Sequence, residues 1–179
     1  MRSTGQNGQM STPVLVISGL VGSGKSTTGR LAAHVLRERD IPYALVDYEW
    51  LGESWPRPAD DPWNGKVAYL NLAAMWRNFS ESGANRLIVC QTIERRSHLG
   101  GIANAVTDAE CTLVWLRAPL ETVFARIRSR QSDPDWYLDA AKQLAEMIDP
   151  SQVADVVVDN AARLPLEVAE DILRQVGWI

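Results

Sequence analysis

Cysteine, histidine and phenylalanine are scarce in this 179-residue chain, at two of each. Cys90 and Cys111 lie in separate apolar runs, without the spacing of a metal site, a redox motif or a disulfide framework. They are expected to be reduced core residues. His34 and His98 have no partner near them in sequence, so neither is expected to act as ligand or base. No apolar run is long enough to span a bilayer. Residues 1–12 are polar and rich in Gly, Ser and Gln, with no apolar signal-peptide core. The expected organisation is a flexible leader over 1–12 and one domain over 13–179, cytoplasmic and without membrane contact. Basic residues are also in deficit: 18 Lys and Arg face 22 Asp and Glu, for a formal net charge of −4. That argues against a nucleic-acid partner, which requires a basic face. There is no internal repeat or low-complexity tract. The chain also has no Asn-Lys-x-Asp guanine motif and no Asp-x-x-Gly switch motif. Its third apolar run ends in Gln91, where a motor ATPase or GTPase would carry an acid.

Against these absences one stretch stands out: Gly19-Leu20-Val21-Gly22-Ser23-Gly24-Lys25-Ser26-Thr27. It follows the apolar run Val14-Leu15-Val16-Ile17 and precedes a helical pattern, which is the strand–loop–helix setting of a phosphate-binding P-loop. Gly19, Gly22 and Gly24 permit positive φ and close backbone approach, so that successive N–H groups, with that of Ser23, face phosphate oxygens. The helix that follows adds its N-terminal dipole. Lys25 is a mobile cation for the β and γ phosphates. Ser26 offers a hydroxyl to Mg²⁺, and Thr27 stands beside it.

The remainder alternates strand and helix. Strands are expected at 14–18, 43–46, 87–90, 112–116 and 153–158, and helices at 25–39, 66–82, 97–107, 119–130, 136–148 and 164–176. Apolar runs mark the strands, and 3.6-residue periodicity marks the helices. Such alternation implies an α/β fold, a three-layer α/β/α sandwich around a five-stranded parallel sheet. In such sheets ligands bind beyond the carboxyl ends of the strands. Asp47 ends the second strand there, as general base for an acceptor hydroxyl or holder of the Mg²⁺ shell. Residues 48–64 carry Trp50, Trp55 and Trp63 among Glu49, Glu53, Arg57 and three prolines. The prolines prevent a long helix, and an acceptor-binding flap is expected, with Glu49, Trp50 and Trp55 as candidate contacts. A loop pinned to the core by its tryptophans is the alternative. Glu94 and Arg95, after the third strand, are candidates to hold a polar acceptor. Arg126 and Arg130 lie one turn apart on the helix after the fourth strand, suited to charge that moves between phosphates. A short lid is expected over about 126–136.

The P-loop, Asp47, the arginine pair and the lid, taken in order, resemble the small P-loop kinases, among them nucleoside monophosphate, shikimate, gluconate and adenylylsulfate kinases. The layout is most similar to that of chloramphenicol phosphotransferase-like and tunicamycin-resistance-like proteins, and Trp136-Tyr137-Leu138-Asp139-Ala140-Ala141-Lys142-Gln143 looks like the post-lid segment of the latter group. The resemblance implies a sheet order of 2-3-1-4-5 and ATP with Mg²⁺ as cofactors. It also implies arginines at 126 and 130 that contact ATP, and a loop after the fifth strand, including Asn160, that borders the adenine. The function expected is ATP-dependent transfer of the γ-phosphate to a hydroxyl or phosphate of a small molecule, by a monomer or homodimer. A nucleotide switch or slow NTPase, or a drug-sequestering resistance protein, are the alternatives.

Overall fold

An uninterrupted apolar run suits a strand covered on both faces, and the run after Ser11 takes the centre of the sheet. In the computed structural model, which describes residues 11–179, β1 (Thr12–Gly19) buries Val14, Leu15, Val16 and Ile17 to 1% exposure or less. The expected leader lies outside the described residues up to residue 10, and its last residue, Thr12, is already strand.

The other strands are β2 (Ala44–Asp47), β3 (Leu87–Cys90), β4 (Ala109–Arg117) and β5 (Val156–Asp159), all parallel, in the order β2-β3-β1-β4-β5. The register aligns Ile17 with both Cys90 and Val114, and Leu116 with Val158. Side chains alternate across β1. Val14 and Val16 face a core with Val46, Leu72, Trp76, Ile102 and Trp115. Leu15 and Ile17 face another with Ala32, Leu36, Ile172 and Leu173. The first core is roofed by α2 (Gly65–Glu81) and α3 (Leu99–Ala105), the second by α1 (Lys25–Arg37) and α7 (Pro165–Gln175).

Two glycines inside helices are explained by close approach. A Cβ on Gly29 of α1 would collide with the Cys90 sulfur of β3, and one on Gly101 of α3 would collide with the Tyr69 ring. After β4 come α4 (Leu120–Arg130) and α5 (Asp135–Met147), joined by 131–134. Residues 126–136, where a lid was expected, comprise the last turn of α4, this link and the start of α5. The fifth strand begins later than expected. Pro150 opens a short helix, α6 (Pro150–Val153), and Asp149 caps it by accepting from the Ser151 N–H at 2.9 Å. Proline at the first helical position and Asp at the cap are favoured there. Among the described residues no helix is long and apolar enough to cross a membrane.

Candidate active site

The loop between β1 and α1 has the conformation its glycines were expected to allow. Gly19, Gly22 and Gly24 have φ of 143°, 79° and 103°. A Cβ on Gly24 would lie 2.9 Å from Asn160 Nδ2, so the position is closed to side chains by space as well as by φ. No side chain caps α1 at Gly24, which leaves the first-turn amides of Lys25, Ser26 and Thr27 for an external anion. Lys25 is 7% exposed, and its partners are long: Gly19 O and Leu20 O at 3.4 Å, and a Glu49 carboxylate oxygen at 3.6 Å. A buried ammonium with contacts of that length is under-satisfied. Phosphate oxygens are the acceptors that would complete it.

Two side chains clamp the Ser23–Gly24 turn of this loop. Arg126 of α4 donates to Ser23 O at 3.1 Å and to Asn160 O at 2.8 Å. Asn160, buried just beyond β5, donates its own Nδ2 to Ser23 O. Burial, and then the Arg130 charge, lower the Arg126 guanidinium below its ordinary value, though an arginine remains a cation at any working pH. Arg126 is thus a strut of the loop. Arg130 is exposed and faces the cleft.

A cleft of about 530 Å³ opens over the loop, lined by Gly22, Gly24, Lys25, Ser26, Glu49, Trp50, Arg126 and Arg130. A second, of about 520 Å³, adjoins it under the flap and α5, with Tyr48, Glu49, Glu53, Arg57, Trp63, Gln91, Thr92, Trp136 and Tyr137 in its walls. Glu49, Glu53 and Tyr137 border both. Asp47 lines neither. It is half-buried in register with Cys90, whose thiol is pushed up to about 12 by burial and then by the Asp47 charge. Glu94 and Arg95 are exposed and line neither cleft, and Trp55 is 89% exposed and away from both. Among the described residues, no group of three or more His, Cys, Asp or Glu side chains is placed to hold a metal. A divalent cation at this site would be one carried by phosphate oxygens, with few protein ligands.

The flap is held in a way its sequence did not suggest. Trp50 and Trp63 are 75% and 74% exposed, which excludes a loop pinned to the core by its tryptophans. Polar side chains pin it instead. Asn64, 1% exposed with φ 52°, donates Nδ2 to Gly52 O and Ser54 Oγ, both at 2.9 Å. Asp61 accepts from the N–H groups of Gly65 and Lys66 at 2.9 Å, satisfying the start of α2, and Asn71 donates to Leu51 O at 2.7 Å. The indoles are left free to line clefts. Of the wall residues, Gln91, Thr92, Trp136 and Tyr137 were not singled out as site residues. The available signal was position: the first two follow directly on β3, at the carboxyl edge of the sheet, and the others lie in the first turn of α5.

A family model described as an AAA domain matches residues 14–152. A shikimate kinase from Gloeobacter violaceus is 31% identical over 174 residues, covering 89% of this chain and 90% of that protein. The chain belongs to the P-loop kinase family. A solved gluconokinase from Sinorhizobium meliloti superposes with a TM-score of 0.63 at 20% identity, covering 95% of this chain and 94% of that one, a likeness of fold alone. The tunicamycin resistance protein of Deinococcus radiodurans superposes at 0.62 with 25% identity, covering 93% and 96%. This P-loop kinase aligns with these relatives over 89–95% of its length.

Proposed function

We propose that the protein is an ATP-dependent small-molecule kinase that phosphorylates an acceptor hydroxyl. The observation that carries this is the pair of adjoining clefts, one floored by the P-loop and one walled by the flap, with Glu49 bordering both. A nucleotide switch has no use for the second cleft.

The P-loop amides and Lys25 hold the β and γ phosphates, and Lys25 exchanges its long contacts for phosphate oxygens. Ser26 would supply a hydroxyl ligand to Mg²⁺ carried by the nucleotide, and Asp47 would hold its shell through water. Bound ATP·Mg²⁺ supplies the transferable phosphoryl group and part of the charge neutralisation. Arg126 keeps the Ser23–Gly24 turn in place, and Arg130 adds positive charge at the cleft mouth. Glu49 orients the acceptor hydroxyl and takes its proton as the new oxygen–phosphorus bond forms and the bond to the ADP oxygen breaks.

The test is to compare Glu49→Gln with Asp47→Asn, following label from the γ-phosphate of ATP. Glu49→Gln should retain ATP affinity and lose transfer by roughly 10²-fold or more, the ordinary scale of a general base. Asp47→Asn should instead raise the Mg²⁺ concentration required. Full transfer by Glu49→Gln would remove Glu49 from this role.

A further inference from the structure

Resting on that reading, we infer that the acceptor is a hydroxyl-bearing ring compound, neutral or amine-substituted, without carboxylate or phosphate, and so differs in charge from the shikimate that the relative's name specifies. The second cleft presents two carboxylates, aromatic faces and neutral hydroxyl, amide and indole groups, and it is poor in free cations. Its carboxylates are Glu49 and Glu53, and its one lining cation is Arg57. That guanidinium is already engaged, donating to Glu53 at 3.1 Å and to Pro62 O at 3.4 Å. Lys25, Arg126 and Arg130 line the phosphate cleft and have that work to do. Once the phosphates of ATP draw Lys25 from its 3.6 Å contact with Glu49, the acceptor side is left with the surplus negative charge of Glu49. A carboxylate or phosphate held there would be desolvated with no arginine fork to receive it.

The uncharged groups point the same way. Gln91 Oε1 is buried at the cleft wall and has no hydrogen-bond partner. An acceptor atom in that state is completed by an N–H or O–H donor, which a hydroxyl or amine of a ligand in this cleft would supply. Trp63 and Trp136, 74% and 60% exposed, stand in the wall, and Trp136 meets Tyr137 edge-on with ring centroids 5.0 Å apart. Exposed indoles beside carboxylates suit the apolar face of a sugar-like or aromatic ring whose hydroxyls or amines reach the acceptors. They suit an ammonium as well.

The experiment uses the full chain with ATP·Mg²⁺ held constant and ring compounds matched except for charge: glucosamine, glucose and glucuronate, and methyl shikimate against shikimate. Two quantities are read: transfer of label from γ-labelled ATP, and quenching of tryptophan fluorescence, compared with Trp136→Phe. The expected order is amine or neutral compound above its carboxylate counterpart by roughly 10- to 100-fold, the scale of one like charge a few ångströms away at intermediate dielectric. The Trp136→Phe quench should be diminished. Glu49→Gln with Glu53→Gln lacks the base and transfers little label, so there the order is read from the fluorescence quench alone, and it should flatten because these two side chains set it. Label on shikimate or glucuronate at a rate equal to or greater than that on the uncharged or amine counterpart would overturn the inference and leave the kinase assignment standing. Label released only as inorganic phosphate, with no quench by any compound, would overturn both.

Discussion

Replacing Arg126 separates a structural strut from a catalytic charge. In Arg126→Ala, Ser23 O keeps only the Asn160 donor, and Asn160 O loses the one bond the guanidinium supplied. Hydrogen bonds from charged donors contribute about 1.5–3 kcal/mol each when shielded. Arg126 is half-buried, so the lower end applies and solvent screening removes part of it. The expected loss is about 2 kcal/mol for both bonds together, or about 4–8 °C in Tm for a domain of this size. Arg126→Lys restores the charge, but an ammonium lacks the flat fork that spans two carbonyls. It should recover about half of the Tm loss. The KM for ATP should stay raised and kcat at least about tenfold down, because the loop that cradles the phosphates is no longer fixed from behind. Thermal unfolding and steady-state kinetics on the two variants supply the readouts. An unchanged Tm in Arg126→Ala, or full activity in Arg126→Lys, would refute the strut.

Lys25→Ala should abolish turnover with Tm unchanged or raised, since the ammonium it removes is buried with partners no closer than 3.4 Å; calorimetry and a transfer assay check both halves. Asn64→Ala should loosen the flap, raising the acceptor KM severalfold while the Kd for ATP holds, and should cost about 2 kcal/mol for two buried hydrogen bonds. Cys90, its thiol pushed up to about 12 mainly by burial, should resist alkylation at pH 8 until the protein is unfolded, as counted by mass spectrometry. The same shift predicts a stability contribution held in full below the ordinary thiol pKa of about 8.5 and lost as pH climbs from there through about 12, because the folded state keeps a proton the unfolded chain releases.

The P-loop was legible because its information is local. Glycine spacing sets the backbone, and Lys25 and Ser26 follow within the same loop. The alternation of apolar runs revealed the α/β layers for a similar reason, while the sheet order came from the resemblance to P-loop kinases. Strand edges were less legible. β4 runs from Ala109 to Arg117 because it pairs along the whole of β1, and pairing partners are not written into a strand's own residues. The acceptor side was hardest. Asp47 and Glu49 are two residues apart, and which of them reaches the clefts depends on the 3-10 turn Tyr48–Trp50 that follows β2. The tryptophans of the flap suggested either a wall or an anchor. The choice was made elsewhere, by Asn64, Asp61 and Asn71, whose hydrogen bonds to the flap and to the start of α2 remove the need for an aromatic anchor. The double grip of Arg126 on Ser23 O and Asn160 O joins residues more than a hundred positions apart, and no spacing rule reaches that far.

The most direct test follows the γ-phosphate itself. The wild-type protein is incubated with γ-labelled ATP·Mg²⁺ and a protein-free mixture of small hydroxylated metabolites, and the labelled species are separated. The account predicts a new organic phosphate ester that disappears when Lys25 is replaced by Ala. Label found only as inorganic phosphate would contradict it.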